Sequence, residues 1–142
     1  MENRYLFRGK RIDNCEWVVG HFYEFMGKSY IFEPPFTSKD LTYEVDPSTI
    51  CQCTGLKDKN GKLIWENDLV KDLFSDTIAP IRYGSYQNCF DSTKTENVGF
   101  YVDWSVTDKK YMRKDLGYWI NMVDAEVIGN TFDNPELLEV QE

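Results

Sequence analysis

The sequence predicts a mainly β fold, and three observations carry the prediction. Aromatic residues are abundant, with 4 Trp, 9 Tyr and 9 Phe in 142 residues, and they favour pleated, half-buried surfaces. Short apolar runs recur at close spacing, separated by turn residues, the pattern of a barrel or sandwich. One of the separators, Asp58-Lys59-Asn60-Gly61-Lys62, contains Asn-Gly, whose two residues tolerate positive φ and so favour a tight hairpin. The length suits one domain, large enough to bury roughly two thirds of its unfolded surface.

Taken in order, residues 4–12 alternate as a strand, 13–16 form a turn and 17–25 a second strand, giving an N-terminal β-hairpin. Residues 26–44 carry Pro34-Pro35 and no clean period, so a short strand followed by an irregular loop is expected. Pro47 marks the passage from an N-terminal β subdomain, 1–46, into a second part, 47–142, within a single domain spanning 1–142. The Asn-Gly hairpin ends at Trp65, and the polar turn Glu66-Asn67-Asp68 delivers the chain into Leu69-Val70. Further short strands are expected at 69–74, 79–83, 98–104, 118–121 and 125–132. Residues 107–117 suit a short helix, with Tyr111, Met112 and Leu116 near helical spacing, Thr107 able to cap its start and Gly117 its end. At the C-terminus Asn134 can cap a helical turn begun by Pro135, whose missing N–H costs nothing there.

Several segments together resemble the YopX family of small proteins encoded by phages and prophages. They are Phe7-Arg8-Gly9-Lys10 leading to Trp17-Val18-Val19-Gly20, then Val45-Asp46-Pro47-Ser48-Thr49, then 54–70, and last Glu126-Val127-Ile128-Gly129-Asn130 closing with Asn134-Pro135-Glu136-Leu137-Leu138. In this order they are specific, and the resemblance spans the chain. It implies an SH3-like barrel after the N-terminal hairpin and an origin in a mobile element, and it implies no catalytic mechanism. Cys15 and Cys51 stand where the family commonly has glycine, Cys53 where it has an aromatic residue, and Asn67 where it has the glycine of a Glu-Gly-Asp turn. Asn enters left-handed backbone geometry cheaply, so Asn67 preserves the turn, whereas Cys15 is less suited to its place.

Charge excludes some classes. The net charge of −8 is concentrated: residues 124–142 hold six acidic side chains and no basic one, leaving −2 for the preceding 123 residues. A protein mimicking DNA would spread its carboxylates, so an acidic, solvated C-terminal end is the plainer account. No apolar run approaches the roughly 18 residues of a membrane span, and Glu2, Arg4 and Arg8 disrupt any signal-peptide core. A cytoplasmic protein of the bacterial host cell, without membrane association, is expected.

Residues for catalysis are scarce. His21 is the single histidine, no orienting partner is identifiable, and there is neither a nucleophile elbow nor a phosphate-cradling glycine loop. Cys51 and Cys53 share a strand face, but zinc sites separate paired cysteines by about two to four residues, and Cys15 and Cys89 are distant. Reduced thiols and no metal or other cofactor are expected in a cytosol. A calcium loop with Gly61 at its sixth position would begin at Leu56 and end at Asn67, losing the carboxylates both ends require.

The residues therefore point to a non-enzymatic module that binds a host or phage protein, or its own copies, through loops or a barrel face. Nucleic acid is the less favoured partner. Arg8, Lys10 and Arg11 form one basic cluster, and Lys109, Lys110, Arg113 and Lys114 around Tyr111 form another, with Asp13, Asp108 and Asp115 diluting both. Arg82, Tyr83 and Tyr86 around an expected turn at Tyr83-Gly84-Ser85 complete the candidate binding surface. A protein-binding module requires an exposed aromatic or apolar patch, a nucleic-acid binder converging basic clusters, and an enzyme a polar cleft with His21 or grouped carboxylates.

Overall fold

A computed structural model describes residues 5–33, 41–72, 76–87, 92–104, 114–121 and 125–139. The chain is mainly β and divides into two compact units, Met1–Gly55 and Leu56–Glu142. No closed barrel is formed among the described residues.

In the first unit, β1 (Phe7–Lys10), β2 (Trp17–Phe25), β3 (Lys28–Phe32) and β4 (Thr42–Val45) follow one another as antiparallel neighbours, and β5 (Cys51–Lys57) begins on the other side of β1. Alternation along β2 sends Val18, Gly20 and Phe22 to one face, where Val18 joins Ile31 and Val45 in a small core flanked by Phe7, Phe22, Tyr43 and Ile50. Gly20 is required by contact: a Cβ there would lie 2.2 Å from the Phe32 carbonyl oxygen. The end of β1 also returns to β4, with Arg11 bridging Val45, Ile12 N–H donating to Glu44 at 3.1 Å and Asp46 N–H to Lys10 at 2.8 Å. Asp46 then caps a 3-10 turn, Pro47–Thr49, accepting from the Ser48 N–H at 3.0 Å and the Ser48 hydroxyl at 2.8 Å, bonds that hold its carboxyl below the ordinary range. The Thr49 hydroxyl accepts from Lys10 N–H at 2.9 Å, standing in for a strand partner. β4 arises inside the stretch expected to be irregular, because Tyr43 and Val45 alternate inward while pairing with Ile31 and Ser29 supplies what propensity did not.

The second unit opens with the hairpin from β5 to β6 (Leu63–Trp65). Its turn differs from the expected pair of positive-φ residues. Gly61 alone is left-handed, at φ 80, and its N–H donates to Asp58 O while Asp58 N–H donates to Lys62 O, a three-residue loop ending in an αL glycine. The Glu66-Asn67-Asp68 turn forms as expected. Asn67 has φ 69, Trp65 N–H donates to the Asp68 carboxylate at 2.8 Å, and the Asn67 backbone joins Ile81 O and Thr131 N–H. β7 (Asp68–Lys71), β8 (Ile78–Tyr86), β9 (Asn97–Val102) and β10 (Glu126–Asn130) form an antiparallel sheet in the order β10–β7–β8–β9. Ile64, Val70, Ala79, Ile81, Val102, Trp104, Leu116, Trp119, Ala125 and Val127 fill the core, with the rings of Trp104 and Trp119 4.9 Å apart.

Two expectations about the second unit are corrected. Residues 118–121, expected as a strand, belong to α1 (Leu116–Asn121), because Leu116 and Trp119 three residues apart bury the same helical stripe against the core. The expected helix at 107–117 falls largely on 105–113, outside the described residues. The described part of it divides: Lys114 and Asp115 are extended, Val102 N–H donating to Lys114 O and Tyr101 bridging Asp115, whereas Leu116 and Gly117 open α1, so Gly117 lies inside a helix rather than ending one. At the C-terminus α2 (Glu136–Glu139) follows Asn134-Pro135 as expected, although the Asn134 side chain reaches back to accept from Asn130 N–H at 3.2 Å.

Candidate binding surface

Strand register builds an aromatic face on the first unit. Residues directly opposite each other share a face, so Lys10 and Trp17, Arg8 and Val19, His21 and Phe32, Tyr23 and Tyr30, and Phe25 and Lys28 lie together on the side away from the core. Glu44 and Thr42 extend it across β4. Five alternate residues of β2, Trp17, Val19, His21, Tyr23 and Phe25, thus form its spine. Tyr23 and Tyr30 stack with centroids 5.1 Å apart. The β2–β3 turn raises the exposure further: Tyr23 is 44% exposed, Phe25 62% and Met26 86%.

The two ends of this face differ in charge. At one end the Arg8 guanidinium lies 4.6 Å and the Lys10 ammonium 5.4 Å from the centroid of the half-buried Trp17 ring, so both cations sit on aromatic surface. Arg11, the third member of that cluster, is engaged elsewhere. Its guanidinium covers Tyr43 and binds the Asp13 carboxylate through two hydrogen bonds, 2.9 and 2.6 Å, which raise the pKa of Arg11 and lower that of Asp13. At the other end Lys28 lies 4.0 Å from Glu44.

The sequence-derived group on the second unit is distributed over both faces of one hairpin. Tyr83-Gly84-Ser85 is the middle of β8, opposite Phe100-Gly99-Val98, rather than a turn. Arg82 and Tyr86 share one face: Arg82 Nη1 donates to Asn67 Oδ1 and Nε lies 4.0 Å from Asp103, while the Tyr86 ring stacks on Tyr101 at 5.1 Å. Tyr83 lies on the other face, edge-on to Phe100 and near exposed Val98. Lys109, Lys110, Tyr111 and Arg113 lie outside the described residues, and of that cluster only Lys114 is placed, beside the end of β9.

Two shallow grooves of about 270 and 310 Å³ flank exposed Ile12, one lined by Asp13, Tyr43 and Glu44 among others, the other by Cys15, Asp46, Pro47 and Thr49. His21 lines neither, lying exposed on the aromatic face. Cys15 is an exposed thiol at φ 60, in keeping with the glycine expected there. Cys51 and Cys53 are buried on one face, and Cys51 donates its S–H to Thr49 O at 3.2 Å. Cys89 lies outside the described residues.

The sequence does not single out the aromatic face, because alternation along 17–25 leaves open which row meets the core and which meets water. The signal was present in Trp17-x-Val19-x-His21-x-Tyr23-x-Phe25, a period of two with apolar side chains on both faces. A strand buried on one side has no need of the second apolar row. Among known proteins, the family model described as YopX protein matches residues 6–139, nearly the whole chain. No curated protein matches the sequence.

Proposed function

The chain belongs to the YopX family, and on that premise we propose that it is a non-catalytic phage or prophage accessory protein that binds another protein in the host cytoplasm. The observation that carries this reading is the exposed aromatic row of β2, ending in Tyr23, Phe25 and Met26 at the hairpin tip. Contiguous exposed aromatic and Met side chains mark contact surfaces, since they lose water readily and pack closely against a partner. His21 lies on that open face away from the grooves, which favours binding over catalysis. No helix among the described residues is long and apolar enough to cross a membrane. An SH3-like arrangement of residues 47–142 belongs to the same proposal, supported by the antiparallel β10–β7–β8–β9 sheet and the hairpin before it.

Nucleic acid fits this face less well. Lys28 is balanced by Glu44, and Arg8 and Lys10, both held on the Trp17 ring, supply two positive charges, enough to displace only a few counterions. The test places a photo-crosslinking residue at Met26 in nuclease-treated extracts of the host, with Phe25→Ser as control. A discrete protein crosslink weakened by Phe25→Ser is expected. Micromolar binding of DNA or RNA at physiological salt, abolished by neutralising Lys109, Lys110, Arg113 and Lys114 together, would overturn the proposal.

A further inference from the structure

Asn60 is the single asparagine of the chain followed by glycine, and both residues are exposed in the turn between β5 and β6. An Asn-Gly pair is chemically labile. The glycine nitrogen, hindered by no side chain, can attack the asparagine side-chain carbonyl carbon, and the space around Gly61 is open, since an added Cβ would meet nothing within 4 Å. The reaction requires that nitrogen to give up its proton. In the folded turn the proton is engaged: Gly61 N–H donates to Asp58 O at 3.0 Å, while the Asp58 carboxylate accepts from the N–H groups on either side, Asn60 and Lys62, both at 2.9 Å. A carboxylate so placed also disfavours a second negative charge on the nitrogen between them.

We propose that Asn60 is a site of spontaneous deamidation whose rate is set by opening of the Asp58 clasp, and whose product loosens the hairpin from β10. In the open turn Gly61 N loses its proton to solvent base and bonds to Asn60 Cγ; the Cγ–Nδ2 bond breaks, ammonia leaves and a succinimide remains. Water then opens the ring. Breaking the bond from Gly61 N to Cγ gives aspartate, and breaking the bond from Gly61 N to the main-chain carbonyl carbon of residue 60 gives isoaspartate. In sum Asn60 and water yield a carboxylic acid and ammonia, with nothing oxidised or reduced. Only the open fraction reacts, as in amide hydrogen exchange, so the clasp governs the rate.

The product upsets a balanced site. Asn60 Nδ2 donates to Glu126 Oε2 at 3.4 Å, and Lys59 Nζ lies 3.7 Å from the same oxygen. The charges of Asp58 and Glu126 are thus accompanied by those of Lys59 and Lys62. Deamidation replaces the donor with a carboxylate facing Glu126, so an attraction becomes a repulsion and the group gains one negative charge. Isoaspartate adds a main-chain methylene between residues 60 and 61, which disturbs the spacing that lets Asn60 and Lys62 share one Asp58 oxygen. The neighbour of Glu126 is Val127, whose N–H donates to the other Asp58 oxygen at 3.0 Å. Both products therefore weaken the bond through which the turn holds β10.

Ageing the purified protein at neutral pH and physiological temperature, with peptide mass spectrometry and an enzymatic isoaspartate assay, tests the gate. Modification at Asn60 should run at least about tenfold slower in the native protein than in the same protein unfolded in urea, and at least about threefold faster in folded Asp58→Asn than in wild type. The comparison with urea needs no variant, so it decides even if Asp58→Asn does not fold. Hydrogen exchange on the aged fraction, separated by its extra charge, and on Asn60→Asp should show Val127 N–H protection reduced at least about threefold while Ile81 and Val102 keep theirs. Native modification as fast as in urea, a folded Asp58→Asn that reacts no faster than wild type, or unchanged Val127 protection in the aged fraction would each overturn the inference.

Discussion

Asp58 carries the sharpest stability prediction. Its side chain, 6% exposed, accepts from Asn60 N–H and Lys62 N–H through Oδ1, both at 2.9 Å, and from Val127 N–H through Oδ2 at 3.0 Å, so one carboxylate joins the hairpin turn to β10. Asp58→Asn keeps size and shape but supplies one acceptor oxygen. If that oxygen serves Asn60 and Lys62, the amide NH₂ confronts the buried Val127 N–H; if it turns to Val127, two turn bonds are lost. Hydrogen bonds to a charged group contribute about 1.5–3 kcal/mol each, and a buried orphaned donor costs about 1–3 kcal/mol. Asn60 and Lys62 can recover water, so a loss of about 2–3 kcal/mol is expected, equivalent to a fall of roughly 4–12 °C in melting temperature for a chain of this size. Burial acts against the charged carboxylate, but the Val127, Lys62 and Asn60 N–H groups and the Lys62 charge together outweigh it and hold its pKa below the ordinary range. The sign follows from linkage. A depressed folded pKa gives stability fully present above the unfolded value of about 3.9 and lost as pH falls through the folded value, so the gap between wild type and Asp58→Asn should narrow on acidification below about pH 4. Urea unfolding at several pH values measures both effects. A variant melting within a degree of wild type at neutral pH, or a gap indifferent to acid, would refute the assigned role.

The remaining expectations concern two turns, one close backbone approach and the cysteines. Gly61→Val forces a β-branched residue to φ 80, where a Cβ meets no neighbour, so the cost is conformational, about 1–3 kcal/mol by thermal melt; Asn67→Gly, which keeps a positive φ accessible but removes the acceptor for Arg82, should cost under about 1.5 kcal/mol. Gly20→Ala drives a Cβ against the Phe32 backbone and should lower stability by more than about 3 kcal/mol, and an unchanged urea midpoint would contradict the β2–β3 register. Under native reducing conditions Cys15 should react at once with a thiol reagent, while Cys51 and Cys53 react only after unfolding; elemental analysis should find no stoichiometric zinc, and one zinc per chain would contradict the expectation.

Local rules read well where each residue had one job. Residues 17–25 were legible as a strand because alternation runs without interruption, and Glu66-Asn67-Asp68 as a turn because few residues other than Asn adopt φ 69 cheaply. They failed where tertiary contact decided. Tyr118-Trp119-Ile120 has strand-forming composition, yet α1 wins because Leu116 and Trp119 reach the Trp104 core at helical spacing. β4 depends on a partner strand ten residues upstream of its start, which no local window contains. The candidate surface was legible only in part: a strand assignment left open which alternate row met water, so the Tyr23–Tyr30 stack could not be read, and Arg82 and Tyr83, adjacent in sequence, were grouped although a strand sends them to opposite faces.

The placement of β1 bears on how the protein is made. Phe7–Lys10 leaves the ribosome shortly before its partner Trp17–Gly20 and can pair with it almost immediately, but its other flank waits for Cys51 and Gln52. At about 5–20 residues per second that interval lasts roughly 2–9 s. Throughout it the nascent chain presents an unsatisfied flank beside Phe7, next to an aromatic-rich hairpin already formed, on polysomes where identical chains are close together. Yield in a fast-translating host should consequently respond to synthesis rate and temperature more than the stability of the finished fold would suggest.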